Sequence, residues 1–216
     1  MKNKPALIIL NGKEFNKKEF LNSLSDDRLV IAADGGIKYL GGLDVPPLIH
    51  IGDMDSSVPG SKVPIKDTII FPAEKNFSDF HLALEYAQKK KVSEVFVFAA
   101  CGGRSDHFIS NYDTAVDFAS KGMKIVFSGS NEDIFFLPRA LKEYVFDFKK
   151  GSTVSMFSGS ESVEDLTVSG FKYPAVKLDL KRSVPVGLSN VCTNINKQKI
   201  RFDNGVLVLI YNKSKV

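Results

Sequence analysis

Two carboxylates one residue apart, Asp53 and Asp55, follow the apolar run Pro47–Ile51 in the stretch IGDMDSS. Like charges at ~4 Å repel by about 4 kcal/mol at an effective dielectric near 20, so the pair either splays into water or shares a cation. Three more stretches carry groups of the same chemical kind: AADGG (Ala32–Gly36), EKNFSD (Glu74–Asp79) and CGGRSDH (Cys101–His107). They add Asp34, Asp79, Arg104 and Asp106, with the pairs Gly35-Gly36 and Gly102-Gly103. Paired glycines let backbone N–H groups approach phosphate oxygens closely. Arginine adds a rigid fork of donors, and several carboxylates around one point suit Mg²⁺ together with substrate phosphates. Each piece alone has an ordinary reading: Asp34-Gly35-Gly36 as a turn, the Asp53–Asp55 pair as turn or cap chemistry, Asp79 and Asp106 as acids at helix N-termini, His107 as structural. Their conjunction describes a metal–nucleotide site. The usual nucleotide fingerprints are missing: the sequence has no G-x-G, and its one Gly-Lys pair, Gly12-Lys13, is followed by Glu14 rather than Ser or Thr.

The elements that must carry these groups can be read from hydrophobic patterning. Ala6–Leu10, Leu29–Ala33, Pro47–Ile51, Thr68–Phe71, Glu94–Ala100 and Met123–Ser128 are apolar runs, mostly continuous, as in strands buried on both faces. Phe80, Ala83, Leu84 and Ala87 recur at helical spacing, as do Phe108, Ile109, Tyr112, Val116 and Ala119. Strand and helix in alternation predict an α/β fold with a mostly parallel, Rossmann-like sheet flanked by helices. Ligands of such sheets bind beyond the carboxyl ends of the strands, which is where the four stretches fall. After about Pro138 the pattern becomes short and β-rich, through YVFDF, TVSMFS, AVKLDL, VCTNI, KIRF and VLVLIY, and Asn204-Gly205 reads as a tight hairpin turn. The expected organisation is a nucleotide- and magnesium-binding domain over residues 1–138 and a small antiparallel β-sandwich or barrel over 139–216.

Composition sets the outer limits. The 216 residues are 44% hydrophobic and 25% charged, enough for a packed core. A net charge of +4 does not point to nucleic acid, and Lys89-Lys90-Lys91 fits the cationic end of a helix. No apolar run reaches the ~18 residues of a membrane span, and the N-terminal run is too short for a signal peptide. Cys101 and Cys192 are too few for a disulfide framework or zinc site, so a reduced, cytoplasmic setting is expected.

With these motifs in place, the sequence resembles the thiamine pyrophosphokinase (thiamine diphosphokinase) family. AADGG, GDMDS, EKNFSD and GGRSDH stand in the order and approximate spacing of that family's signatures, and GFKYPA (Gly170–Ala175) and GLSN (Gly187–Asn190) match two more in the second half. The resemblance runs from about Leu7 to Val208. It implies transfer of diphosphate from ATP to the hydroxyl of thiamine, giving thiamine diphosphate and AMP, with Mg²⁺, in a homodimer without nucleic-acid or membrane partners. Carried over by motif, Asp53, Asp55 and Asp79 become the magnesium and catalytic residues, with Asp79 orienting or deprotonating the hydroxyl. Arg104 holds phosphate oxygens. Asp34, Gly35, Gly36, Lys75, Gly102, Gly103, Asp106 and His107 border the nucleotide, and Ser189 and Asn190 contact thiamine. Departures are Asn76, where the family has aspartate, and Ser78, where it has threonine. Without any Trp, an aromatic face could come from Phe171 or Tyr173, although both read as core, and VLVLIY reads as possible interface. Two alternatives stand beside this reading. A phosphatase with a nucleophilic aspartate usually places it after the first strand, whereas this pair follows the third. A non-enzymatic sensor of nucleotide or thiamine diphosphate would form no AMP.

Overall fold

Leu7, Ile8 and Ile9 are all fully buried, and so are Ile31, Ala32, Leu48 and Ile51. Runs apolar on both faces can only be satisfied inside a covered sheet, and this is how they are used. In the computed structural model, which describes residues 4–46, 48–52, 63–70, 77–139, 143–193 and 197–213, the chain divides into two compact units. These are Met1–Thr114 with Phe127–Gly129, and Ala115–Val126 with Ser130–Val216.

The first unit contains β1 (Ala6–Ile9), α1 (Lys17–Ser23), β2 (Val30–Ala33), a 3₁₀ helix (Asp34–Leu40), β3 (Leu48–Gly52), β4 (Ile65–Ile70), α2 (Asp79–Lys89) and β5 (Glu94–Phe98). The division of the units falls within the next two elements, α3 (Ser105–Ser120) and β6 (Lys124–Ser128). Strands pair in the order β5-β1-β2-β3-β4, all parallel. As expected, α2 buries Phe80, Ala83, Leu84 and Ala87, and it ends in Lys89 with Lys90 as its cap. Ser78 caps its start, the side chain accepting from the His81 amide at 3.2 Å.

The aromatic residues Phe15, Phe20, Tyr39 and Phe98 lock α1 and the 3₁₀ helix to the strands: Phe15 stacks on Tyr39 at 4.8 Å and Phe20 meets Phe98 edge-on at 5.3 Å. Neither of these two helices stood out from the sequence. Two expectations for this unit need correction. The Thr68–Phe71 run was read among the buried strands, but β4 is the edge of this unit's sheet and largely exposed; Ile70 is 66% exposed, and Lys66 and Asp67 keep the edge polar. Ile109, placed on the apolar stripe of α3, is 59% exposed, whereas Ala115, Phe118 and Ala119 carry that helix's burial. Its spacing fits a 3.6 period, but packing favours a stripe rotated towards the C-terminal half.

The second unit contains β7 (Glu132–Leu137), β8 (Tyr144–Phe146), β9 (Thr153–Ser158), β10 (Ser162–Ser169), β11 (Ala175–Lys181), β12 (Gly187–Val191), β13 (Gln198–Arg201) and β14 (Leu207–Asn212). They form two antiparallel arrays, β12-β9-β14-β7 and β11-β10-β13-β8. One core made from both arrays, including Val154, Met156, Leu207 and Leu209 from the first and Val163, Leu166, Leu180 and Ile200 from the second, makes the unit a sandwich.

Asn204-Gly205 is not a hairpin turn: the strands before and after it enter different sheets. Gly205 has φ +92, and a Cβ there would meet the Ser162 carbonyl oxygen at 2.2 Å, so only glycine fits. The Val206 amide leaves this corner bonded to Ser160 Oγ at 2.9 Å rather than to β13. VLVLIY, read as a possible interface, is instead a central strand between β7 and β9 with Leu207, Val208 and Leu209 fully buried. Of the two candidate aromatics, Phe171 is core, as expected, but Tyr173 is 59% exposed.

Candidate active site

The site is assembled at the carboxyl ends of parallel strands, beginning with the backbone. The chain leaving β1 is stitched to the chain leaving β5: the Leu10 amide donates to the Phe98 carbonyl at 2.9 Å and the Gly12 amide to the Ala99 carbonyl at 2.8 Å. Tyr39 Oη donates to the Gly12 carbonyl. A Cβ on Gly12 would lie 2.4 Å from the carbonyl oxygens of both Ala99 and Cys101, so this close approach requires glycine. The loop after β5 is held in turn by Asn111, whose Nδ2 donates to the Ala100 carbonyl at 3.2 Å.

These loops border a cleft of about 560 Å³ lined by Asn11, Lys13, Asp34, Lys38, Asp79, Gly103, Arg104 and His107, among others. Of the expected site residues, the fold therefore brings together Asp34, Asp79, Gly103, Arg104 and His107 within the first unit. Gly35 and Gly36 lie directly beneath: a Cβ on Gly36 would stand 2.2 Å from the Ile9 carbonyl oxygen. Gly102 (φ +75) turns the loop after β5. Asp53, Asp55 and Lys75 lie outside the described residues.

The charges are ordered by specific bonds. Arg104 grips Asp106 with two parallel contacts, Nε to Oδ1 at 3.1 Å and Nη2 to Oδ2 at 2.6 Å. The hydrogen bond from Arg104 holds the Asp106 carboxyl below the usual carboxylate range. Asp106 also accepts from the His107 amide at 2.9 Å, so it serves the start of α3 and the orientation of Arg104 at once.

On the opposite side, Lys38 Nζ donates to Asn11 Oδ1, and Asn11 Nδ2 donates to Asp34 Oδ2 at 3.4 Å. A cation and a carboxylate are thus linked through one amide. Asn11 and Lys38 escaped the sequence reading. Asn11-Gly12 follows the first strand, and the rule that selected the other loops would have selected it too. For Lys38, in a 3₁₀ helix that left no periodic signal, no comparable clue exists.

Among the described residues no group of three or more His, Cys, Asp or Glu is placed to hold a metal ion. The carboxylates that line the cleft, Asp34 and Asp79, offer hard oxygen donors, with the His107 imidazole also in the lining. That chemistry fits a hard cation such as Mg²⁺.

Ser189 and Asn190 lie on β12 in the second unit. Asn190 clasps the backbone: its Oδ1 accepts from the Tyr173 amide at 3.0 Å and the Val191 amide at 2.9 Å, and its Nδ2 donates to the Tyr173 carbonyl at 2.7 Å. Ser189, at φ +58, donates its amide to Ser155 Oγ at 3.0 Å. Asn190 and Tyr173 border an apolar hollow of about 200 Å³ with Met156, Pro174, Val186 and Leu188. Its one polar edge and its flat aromatic wall suit a small heterocycle.

Comparison with known proteins agrees with this architecture. Residues 20–127 match the family described as thiamin pyrophosphokinase, catalytic domain, and residues 142–207 match thiamin pyrophosphokinase, vitamin B1 binding domain. The thiamine pyrophosphokinase of Bacillus subtilis (strain 168) is 27% identical over 210 residues, covering 95% of this chain and 97% of that protein. The crystal structure of thiamine pyrophosphokinase from Bacillus subtilis superposes with a TM-score of 0.84 at 23% identity, covering 98% of this chain and 100% of that one. Thiamin pyrophosphokinase from Geobacillus thermodenitrificans gives a TM-score of 0.78 at 24% identity, with 97% of each chain covered. The Candida albicans enzyme gives 0.72 at 17% identity, with 96% and 90% covered. The structural likenesses establish the fold.

Proposed function

Because the chain belongs to the thiamin pyrophosphokinase family, we propose that it acts as a magnesium-dependent thiamine diphosphokinase with the chemistry centred on the cleft lined by Asp34, Asp79 and Arg104. The family reaction moves diphosphate from ATP to thiamine. The observation that carries the assignment of the site is the meeting of Asp34, Asp79, Gly103 and Arg104 at one strand-end cleft inside the stretch that matches the catalytic family model.

In this reading residues 1–138 bind nucleotide and magnesium and residues 139–216 help hold thiamine. Asp53, Asp55 and Asp79 hold Mg²⁺, which when bound neutralises phosphate charge and acts as a Lewis acid. Arg104, kept extended by Asp106, offers its fork to phosphate oxygens as it exchanges one oxyanion partner for another. Lys13 and Lys38 add positive charge to the same cleft. Lys75, Gly102, Gly103 and His107 border the nucleotide, and Asp34 with Gly35 and Gly36 forms the floor. Asp79, the first residue of α2, orients the attacking hydroxyl. Since phosphoryl-type transfer depends chiefly on positioning and electrostatic stabilisation, no covalent enzyme intermediate is needed.

Ser189 and the one Asn190 amide hydrogen not used on the Tyr173 backbone would contact thiamine, with the exposed Tyr173 ring as the aromatic face. Exposed Val176, Val186 and Leu188 on and beside β11 and β12 support a homodimer. A sequence with two cysteines, Cys101 and Cys192, supports a cytoplasmic setting, and no helix among the described residues is long and apolar enough to cross a membrane. The test is product analysis of the purified chain with ATP, Mg²⁺ and thiamine. AMP with thiamine diphosphate is the expected outcome; ADP with thiamine monophosphate, or no thiamine-dependent turnover, would overturn the proposal.

A further inference from the structure

His50 occupies the middle of β3 and is 1% exposed, on a strand whose other described residues are Leu48, Ile49, Ile51 and Gly52. Its Nε2 lies 3.2 Å from the main-chain carbonyl oxygen of Asp34. A carbonyl can only accept, so Nε2 carries the proton and Nδ1 is left as a bare acceptor. Nδ1 is buried and, among the described residues, has no hydrogen-bond partner. A leucine or phenylalanine would fill the same core position without stranding a polar atom, so packing does not account for the imidazole. Among the described residues, what the imidazole provides is one hydrogen bond, to the Asp34 carbonyl.

That bond is made to an unusual residue. Asp34 has φ +48, in the left-handed region that non-glycine residues rarely enter. Its carboxylate reaches the cleft, and its Cα lies 3.2 Å from where a Cβ on Gly52 would stand. Gly52 is the last residue of β3 and immediately precedes Asp53. Asp34 is therefore wedged against the end of the strand that leads into the Asp53–Asp55 pair. We infer that His50 is a positioning residue: from inside the sheet it pins the Asp34 backbone in its left-handed turn, and through the Asp34–Gly52 contact it fixes the carboxyl end of β3 beside the cleft proposed to hold the metal–nucleotide complex. The inference rests on the function proposed above and adds a residue that touches neither substrate nor metal.

His50→Gln and His50→Leu separate this from a structural role. The glutamine amide nitrogen sits as many bonds from Cβ as imidazole Nε2 and can donate to the same carbonyl, whereas leucine cannot. Both variants are checked for a native thermal midpoint, and His50→Phe replaces His50→Leu if leucine does not fold. Two readouts are taken. In steady-state assays, the apolar variant should need about tenfold more magnesium for half-maximal activity, the scale of losing a second-layer partner. Its KM for thiamine should stay within about twofold of the native chain's, and His50→Gln should recover most of the magnesium response. By hydrogen exchange without nucleotide or metal, the amides of the 3₁₀ helix Asp34–Leu40 should exchange faster in the apolar variant but not in His50→Gln. Equal behaviour of the glutamine and apolar variants in both readouts, or parallel loss of magnesium and thiamine responses, would overturn the inference. If the native chain makes no thiamine diphosphate, the proposed function fails, and the exchange comparison still decides whether His50 holds Asp34.

Discussion

Asn190→Ala tests whether the GLSN segment needs its asparagine to build the local structure as well as to meet a ligand. The side chain makes three bonds, two accepted from the Tyr173 and Val191 amides and one donated to the Tyr173 carbonyl. A net contribution of about 0.5–1.5 kcal/mol per bond applies. The lower half of that range is appropriate, because Asn190 is half-buried and water can replace part of what is lost. Three such bonds give about 2 kcal/mol, which in a chain of this size lowers the thermal midpoint by roughly 4–8 °C. Asn190→Asp sharpens the test. It keeps both acceptor bonds but sets a carboxylate oxygen against the Tyr173 carbonyl, where the amide now donates at 2.7 Å. At neutral pH it should be at least as destabilised as the alanine variant, and it should regain stability on acidification as the carboxyl gains a proton to donate. The assays are urea and thermal unfolding by circular dichroism, with a parallel thiamine titration in which both variants bind more weakly. A native midpoint for Asn190→Ala, or native stability for Asn190→Asp at neutral pH, would refute the reasoning.

Asp55→Asn should lower turnover by roughly 10²–10³ with the fold intact, the scale of removing a principal electrostatic stabiliser; steady-state kinetics at saturating substrates checks it. Arg104→Ala should raise the KM for ATP by about tenfold or more and leave the KM for thiamine nearly unchanged, as separate titrations of the two substrates would show. In the same variant the Asp106 carboxyl should titrate higher, because its depression comes first from the Arg104 hydrogen bond. The sign follows: the pair's contribution is present above the ordinary carboxylate range and is lost as pH falls through the lowered Asp106 value, which carboxyl NMR with and without Arg104 can follow. Burial pushes the Cys192 thiol up to about 11, so at pH 8 a thiol reagent should modify the partly exposed Cys101 and spare Cys192 until the chain unfolds; mass mapping of the labelled cysteine decides it.

The division between what was legible in the amino-acid order and what was not follows the range of the forces involved. Runs such as Ala6–Ile9 and Val30–Ala33 declare buried parallel strands because no other element hides an unbroken apolar segment so short. The spacing of Phe80, Ala83, Leu84 and Ala87, with Asp79 before it, declares α2 because helical periodicity and the preference for an acid at a helix start are local. Given the strands, the acids and glycines after them had to gather at the carboxyl rim, so Asp34, Asp79, Gly103 and Arg104 could be assigned to one cleft before any coordinates. Strand β10 was less legible: Glu164 and Asp165 interrupt its apolar pattern, Asp165 at φ +54 where the pairing with β11 shifts register.

Tertiary structure alone decided the contacts between residues distant in sequence. The Lys38–Asn11–Asp34 chain, the His50 bond to the Asp34 carbonyl and the Asn190 clasp on Tyr173 join residues 16 to 27 positions apart. Each depends on register and on which atoms are left needing a partner after packing, and no local pattern records either. The Asn204-Gly205 pair shows the same limit from the other side. Its chemistry fixed a tight turn, but the surrounding sandwich, by sending β13 and β14 into separate sheets, decided that the turn is a corner.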